Sequence, residues 1–212
     1  NKPIDTQILT TNNAFSFTIS SDTFSDVDTG DTLSYTINND STFTLTNRSV
    51  TGTPTQTGTK TLTLVATDSQ GLTAQTPIQL SIFNPVTGAT AGDNTLTGGD
   101  GDDLIDARDG RDNVTGGKGN DRIVGGSGAD VLGGGEGRDT FVYSSIRDSG
   151  DRITDFEVNQ DYLDFSVLLD SLNYTGSNPV TDGYVSWRTL GTGTLISVDS
   201  DGAVGRGVAR PF

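Results

Sequence analysis

The feature that most constrains this chain is a nine-residue pattern that repeats five times without a gap between residues 98 and 142. The units follow Gly-Gly-x-Gly-x-Asp-x-U-x, where U is aliphatic or Phe, although unit 107–115 begins Ala-Arg. Residues 89–97 (ATAGDNTLT) form a partial sixth unit with Asn94 in place of Asp. A fixed period indicates a solenoid of stacked units. A flexible glycine-rich linker is the alternative, but it carries no fixed phase.

The spacing inside each unit predicts a cation-binding turn followed by a short strand. Glycines reach backbone angles that a Cβ forbids, so turn carbonyls can point inward, and the sixth residue adds a carboxylate. Ca²⁺ selects about six to eight such hard oxygen ligands. The U side chains should point into the core: Leu96, Ile105, Val114, Ile123, Leu132 and Phe141. The predicted metal-site residues are Asn94, Gly98, Gly99, Asp100, Gly101, Asp103, Gly110, Asp112, Gly116, Gly117, Lys118, Gly119, Asp121, Gly125, Gly126, Ser127, Gly128, Asp130, Gly134, Gly135, Glu136, Gly137 and Asp139.

Two units should make one coil, so the turns alternate between two edges of a parallel β-roll. Each ion is then expected between turns that lie two units apart, at the usual strand spacing of about 4.8 Å. The 94/112 site should be the weakest, because Asn94 is neutral and unit 107–115 lacks the Gly-Gly start. The expected pairs are 94/112 and 112/130 on one edge, and 103/121 and 121/139, the best sites, on the other.

These repeats resemble those of the RTX (repeats-in-toxin) family of secreted bacterial proteins. The resemblance implies several bound Ca²⁺ ions and passage, while unfolded, through a type I secretion exporter of a Gram-negative cell. It also implies that the calcium outside the cell folds the roll. The expected location is secreted or extracellular, at the cell surface.

Composition supports an all-β, non-catalytic chain. The formal charge is −15, and all acidic residues except Glu136 and Glu157 are Asp, which favours turns and metal loops over helices. This acidity argues against a nucleic-acid partner, and no apolar run could insert into a membrane. Because His and Cys are absent, the chain lacks the residues that Ser-His-Asp and thiol mechanisms require. The start at Asn1 without Met or signal peptide suggests a piece of a larger protein.

Residues 1–84 have the pattern of a β-sandwich, because apolar residues alternate in short runs between turns. The segments FSDVDTGDTLSYTI (24–37), VTGTP (50–54), GTKTLTLVATDSQG (58–71) and PIQLSIF (77–83) resemble the bacterial cadherin-like (dystroglycan-type) module. The resemblance implies calcium ligation by Asp26, Asp28, Asp31 and Asp68; the alternative is that they cap their own turns. The expected core is Phe15, Phe17, Ile19, Leu33, Tyr35, Ile37, Phe43, Leu45, Leu62, Leu64, Leu80 and Ile82.

A linker over 85–88 and the roll over 89–142 should precede a mostly β cap over 143–212. The cap resembles the C-terminal region of type I secretion substrates, and an open solenoid end requires one. It should contain a helix near 166–172, strands near 184–188 and 194–198, and Phe165 and Trp187 in its core. Asp148, Asp151 and Asp155 either complete the last calcium layer or serve as turn and cap residues. Asp199 and Asp201 form a further possible calcium loop.

The predicted function is the calcium-dependent folding, secretion and structural region of a large RTX adhesin. Its partners would be calcium, the exporter, neighbouring adhesin modules and cell-surface glycans. One alternative is the C-terminal tail of an extracellular RTX enzyme whose catalytic domain lies upstream. A second is that the cadherin-like module itself binds glycans or proteins.

Overall fold

The computed structural model describes residues 2–25, 32–38, 40–199 and 210–211. The chain divides into two compact units, Asn1–Pro85 and Val86–Phe212. The described residues include no helix that is both long and apolar enough to span a bilayer. The architecture is all-β, as predicted.

The first unit is a sandwich of two sheets. Its strands are β1 (Gln7–Thr10), β2 (Phe15–Thr18), β3 (Ser34–Ile37), β4 (Phe43–Thr46), β5 (Ser49–Gly52), β6 (Gly58–Thr67) and β7 (Thr73–Pro85). One sheet contains β1, β7, β6 and β3 in that order, with β1 parallel to β7. The other has the order β2-β5-β4 and is antiparallel. Strand β7 includes Pro85, so it continues into the first residue of the predicted linker.

The core between these sheets contains the predicted residues. Leu62, Leu64 and Leu80 are at most 1% exposed, because period-two alternation turns them to the same face of their strands. All twelve predicted residues are either buried or packed against this core. The prediction omitted five buried residues: Leu9, Phe24, Val50, Ala66 and Ile78.

The second unit begins with a parallel β-roll. Its strands are β8 (Thr95–Asp100), β9 (Asp103–Asp106), β10 (Asn113–Lys118), β11 (Arg122–Val124), β12 (Val131–Glu136), β13 (Thr140–Val142), β14 (Arg152–Ile153) and β15 (Tyr162–Asp164). The strands alternate between two parallel sheets, β8-β10-β12-β14 and β9-β11-β13-β15. Val114 pairs with Leu96 and Leu132, so each coil contains two units.

The roll is filled by the U residues of the repeats. All six predicted side chains are buried, with exposures from 0% at Ile105 to 7% at Leu96. The second glycine of the typical unit has a positive φ, for example 122° at Gly117. A side chain at that position would be strained, which explains why the pattern starts with paired glycines. The inward-facing set predicted from the period is confirmed.

A cap follows the last coil. It contains helix α1 (Ser166–Ser171) and a sheet of β16 (Val185–Leu190), β17 (Gly193–Val198) and β18 (Arg210–Pro211). Phe165 packs on the roll core and stacks on Tyr143, with ring centroids 5.2 Å apart. The prediction that Trp187 is buried was wrong, because this side chain is 60% exposed. It lies on β16, an edge strand on which every residue after Val185 is exposed.

Candidate calcium-binding site

The sixth residues of the repeats form two hydrogen-bonded ladders, one along each edge of the roll. In each step, a carboxylate Oδ1 accepts a hydrogen bond from the backbone N–H of the sixth residue 18 positions earlier. Asp121 Oδ1 lies 2.8 Å from Asp103 N, and Asp139 Oδ1 lies 2.9 Å from Asp121 N. The other edge has the same bonds, from Asn94 N to Asp112 (2.7 Å) and from Asp112 N to Asp130 (2.8 Å). The structure therefore brings each predicted pair together.

The second oxygen of these carboxylates has no such bond. In each of five aspartates the Oδ2 atom is buried and lacks a hydrogen-bond partner, and four of the five residues are at most 2% exposed. A buried, unpaired carboxylate oxygen is costly unless a cation or donor satisfies it. The five residues are Asp112, Asp121, Asp130, Asp139 and Asp151.

The first glycine of the unit leaves space beside this oxygen. A Cβ built on Gly116 would collide with Asp121 Oδ2 and with the carbonyl oxygen of Gly134, one coil further on. Gly98 is equivalent, because its Cβ would meet the carbonyl oxygen of Gly116. Carboxylate and carbonyl oxygens from successive coils thus face the same small space, and both are ligands that Ca²⁺ prefers. Among the described residues, no three acidic side chains converge on one point, so backbone carbonyls must complete a ligand shell.

Burial and like charge make these carboxylates hard to ionise without a cation. Burial raises the pKa of Asp121 to about 7; the neighbouring Asp139 and Asp103 add to the rise, while the hydrogen bond from Asp103 N opposes it. Burial likewise raises the pKa of Asp151 to about 7, with a contribution from Asp130. The pKa values of Asp130 and Asp139 are raised for the same reasons. A bound divalent cation would reverse this repulsion.

The ladders continue into the cap. Asp151 Oδ1 accepts a hydrogen bond from Asp130 N, and Asp161 Oδ1 accepts one from Asp139 N, both at 3.0 Å. Asp151 was among the predicted residues, but Asp161 was missed. Its only signal was the Asp-x-Leu-Asp-Phe segment, because its distance of 22 positions from Asp139 departs from the repeat period.

Two other predicted aspartates bond to backbone amides. Asp148 Oδ2 accepts hydrogen bonds from the backbone N–H of Ser144 (2.8 Å) and Ser145 (3.0 Å), as a turn residue does. Asp155 accepts one bond on each oxygen, from Gly134 N (3.0 Å) and Gly135 N (3.1 Å). The Asp148 contacts are those of a turn residue, whereas the Asp155 contacts link the cap to a repeat turn 20 and 21 residues earlier.

The third positions of the repeat turns point outward. The Asp100 carboxylate is 86% exposed and lies 3.6 Å from the Lys118 ammonium, which makes a surface ion pair. Such pairs contribute little to stability. Ser127 and Glu136 occupy the same place in their own turns. Any contribution of these four residues to a metal shell would therefore have to come from their backbone carbonyls.

Outside the roll, the predicted calcium residues do not form a described cluster. Asp68 Oδ1 accepts hydrogen bonds from Gln70 N (2.9 Å) and Leu72 N (2.8 Å), which matches the turn-capping alternative. Asp199 is 9% exposed, and its backbone N–H donates to the Tyr184 carbonyl. The remaining four, Asp26, Asp28, Asp31 and Asp201, lie outside the described residues.

Two protein-family models match the chain, one in the roll and one in the sandwich. The model described as "RTX calcium-binding nonapeptide repeat (4 copies)" matches residues 89–114 and 106–141. The model described as "Putative Ig domain" matches residues 1–83. The repeats are therefore calcium-binding repeats, and the sandwich is an Ig-like module. RTX repeats and Ig-like domains are generally non-catalytic structural modules, and proteins with RTX repeats are typically secreted.

The chain is also similar to solved structures. The AlgE6R3 subunit of the Azotobacter vinelandii mannuronan C5-epimerase is 34% identical, with 57% of this chain and 72% of that subunit covered and a TM-score of 0.44. A 2,6-sialyltransferase from Photobacterium sp. JT-ISH-224 is 8% identical, with coverages of 84% and 45% and a TM-score of 0.27. The comparison with curated proteins found no match. On its repeats, the chain belongs to the RTX family of calcium-binding repeat proteins, with an Ig-like module ahead of the roll.

Proposed function

We propose that calcium binding drives the folding of the roll and cap in this region, and that the region serves as the secretion and structural end of a large RTX adhesin. In this proposal the Ig-like module is a cadherin-like extender, and the roll with its cap is the part that leaves a Gram-negative cell through a type I exporter. The chain would then act outside the cell, at its surface.

The observation that carries the proposal is the set of buried carboxylate oxygens without hydrogen-bond partners. The U side chains give the roll a narrow apolar core, while each coil of repeats after the first adds two buried carboxylates. Divalent cations between successive turns would convert this repulsion into attraction. We propose ions at 103/121 and 121/139, a weaker one at 112/130 because Ala107 replaces glycine, and further ones at 130/151 and 139/161. At 139/161 the oxygen without a partner belongs to Asp139, because Asp161 Oδ2 accepts a hydrogen bond from Glu157 N.

The difference in calcium concentration between the cytosol and the outside of the cell determines where the roll folds. Anything that binds only the folded state stabilises it by mass action. Sites of the extracellular class, with dissociation constants of about 10⁻⁴–10⁻³ M, would stay empty in the cytosol and fill outside. The chain would therefore remain unfolded during export, and folding at the exit would oppose its return.

The test is a calcium titration of the chain after treatment with a chelator. As calcium rises to millimolar levels, the far-UV circular dichroism spectrum should change towards that of a more ordered chain. The melting temperature should rise over the same range. Magnesium is the matched control, since its smaller ion demands near-octahedral geometry and dehydrates reluctantly. An identical spectrum and melting temperature in excess chelator and in calcium would refute the proposal.

The two alternatives stay hypotheses with their own tests. The same C-terminal region would serve as the tail of a secreted enzyme, and the sequence upstream of Asn1 distinguishes the two. Repeated Asn-x-Pro-led modules there favour the adhesin, whereas a catalytic domain favours the enzyme. Binding of the chain to a glycan array in calcium would support the glycan-binding module.

A further inference from the structure

The first step of one ladder differs chemically from all later steps, because Asn94 stands where the other turns carry Asp. Its side-chain amide nitrogen donates to Asp112 Oδ1 at 3.0 Å and to the Thr90 carbonyl oxygen at 3.2 Å. The same nitrogen also donates to the Gly92 carbonyl oxygen. One nitrogen thus contacts three oxygens: two turn carbonyls and the carboxylate of the next coil.

The orientation of this amide is fixed by its other end. Asn94 Oδ1 accepts hydrogen bonds from the backbone N–H of Thr90 at 3.1 Å and from the Thr90 hydroxyl at 3.0 Å. A reversed amide would place its NH₂ group against the Thr90 N–H and its oxygen among three oxygens. The hydrogen-bonding network therefore determines which end faces Asp112.

The neighbouring steps lack such a donor. In the turns that contain Asp112, Asp121, Asp130 and Asp139, the sixth residue leaves its Oδ2 buried and without a hydrogen-bond partner. Asn94 instead places a donor among carbonyl and carboxylate oxygens, where the proposed calcium would lie in later turns. The charge differs as well, since the amide is neutral and Asp112 supplies the one carboxylate that it contacts.

The first residue of the same unit also departs from the pattern, a change that it shares with Ala107 beside the proposed weaker site at 112/130. In units 98–106 and 116–124 the first residue is glycine, and a Cβ there would collide with the oxygens that face the proposed ion. The equivalent residue of unit 89–97 is Ala89, which carries that methyl group. By the two-unit register of the roll, unit 89–97 lies beside unit 107–115, and the Ala89 methyl group packs against the roll core.

We infer that the Asn94 amide replaces a metal ion at the 94/112 step, so that the roll begins with a turn that needs no calcium. This inference rests on the proposed function, in which the later steps bind calcium. It replaces the expectation of a weak calcium site at 94/112. It also gives the roll a first turn that is ordered before any ion arrives and on which the next coil can stack.

Two variants of the whole chain test this assignment, with bound calcium counted by isothermal titration calorimetry and native mass spectrometry. Asn94→Ala should bind as many ions as the wild type, because Asn94 is not a ligand. Its melting temperature should fall in chelator and in calcium alike. Asn94→Asp combined with Ala89→Gly should bind one ion more than the wild type. It should also be less stable than the wild type in chelator, since a carboxylate would then face Asp112 and two carbonyl oxygens.

Asn113→Asp is the matched control, because it makes the same amide-to-carboxylate change at an exposed residue of the same roll. It should leave the ion count unchanged. The loss of one ion in Asn94→Ala would overturn the inference, as would an unchanged count in the double variant while its circular dichroism matches the wild type. Failure of the wild type to bind calcium is a separate result, which would overturn the proposed function itself.

Discussion

The sixth residue of each repeat uses its two carboxylate oxygens for different purposes. Oδ1 of Asp121 bonds to the backbone of the previous coil, whereas Oδ2 is buried and has no hydrogen-bond partner. An asparagine could preserve the first contact and would lose the charge of the second. The two contributions can therefore be separated by a single isosteric substitution.

Asp121→Asn should lower calcium affinity and, without calcium, raise stability. Asp121 belongs to two proposed sites, so the loss should be at least about tenfold in affinity, or about 1.4 kcal/mol. In chelator at pH 8 the melting temperature should rise, because a neutral amide replaces a buried charge between Asp103 and Asp139. Titration calorimetry and thermal melts measure both effects. Asp109→Asn, on an exposed turn position, is the control; an equal loss of affinity there would contradict the assignment.

Gly116→Ala should destabilise the calcium-bound roll by about 1–3 kcal/mol, the usual range for overpacking. The added methyl group would collide with Asp121 Oδ2 and the Gly134 carbonyl oxygen. Gly92→Ala is the matched control, because a Cβ there meets nothing within 4 Å. Chemical denaturation in saturating calcium measures the difference. Equal stabilities of the two variants would show that the space beside Asp121 is not tightly defined.

Single residues show both the success and the limit of prediction from sequence. Ile105 and Phe141 were placed correctly, because the period fixes their direction in every coil. Trp187 was misplaced, because alternation on a strand shows that its two faces differ but not which face another element covers. Asn94 was correctly recognised as different, but only its hydrogen bonds reveal a donor among oxygens.

Among the elements, the ladders are predictable where the period holds and unpredictable where it ends. The step of 18 residues predicts every pair from 94/112 to 121/139. Beyond the last repeat, the steps to Asp151 and Asp161 lengthen to 21 and 22 residues, so the 18-residue spacing no longer predicts which residues pair. The extra residues form the turns that lead into the cap, and their lengths follow from packing rather than from a repeated pattern.

The ladders should make stability depend on pH in opposite ways with and without calcium. The pKa values of Asp121 and Asp151 are raised to about 7 in the folded, metal-free chain, mainly by burial, against about 3.9 when unfolded. Protons therefore bind the folded state more tightly, and this stabilisation is present below about pH 4 and lost as the pH rises through about 7. In chelator the melting temperature of the roll should increase as the pH falls from 8 to 5.

In calcium the melting temperature of the roll should instead fall as the pH falls from 8 to 5, because protons compete with the ion for the carboxylates. Melts at pH 8, 6.5 and 5, each in calcium and in chelator, provide the measurement. Parallel slopes in the two series would contradict a shared site for protons and calcium.

At the scale of the whole molecule, the two units have separate cores of different construction. The sandwich buries Leu62, Leu64 and Ile78 between facing sheets, whereas the roll encloses two rows of U residues, one from each of its sheets, flanked by buried carboxylates. The all-β class and both architectures could be predicted, because alternation and the nine-residue period are strong local signals. The cap was predicted only in outline, since its short strands carry neither signal.

Chelator should therefore destabilise the roll and leave the sandwich folded. Hydrogen exchange read by mass spectrometry should show fast exchange in β10 (Asn113–Lys118) and β12 (Val131–Glu136) without calcium. Strands β6 (Gly58–Thr67) and β7 (Thr73–Pro85) should keep their protection, because no buried acidic residue lies in the part of their core that the structure describes. Equal loss of protection in both units would contradict this independence.

The two-unit coil also limits how such a chain can change in length. Inserting or deleting 18 residues would add or remove one complete coil and return every later side chain to the same edge. A change of nine residues would transfer each later turn to the opposite edge, so the cap would meet the wrong sheet. Natural or engineered variants of this roll should therefore tolerate length changes in even numbers of nonapeptides and reject odd ones.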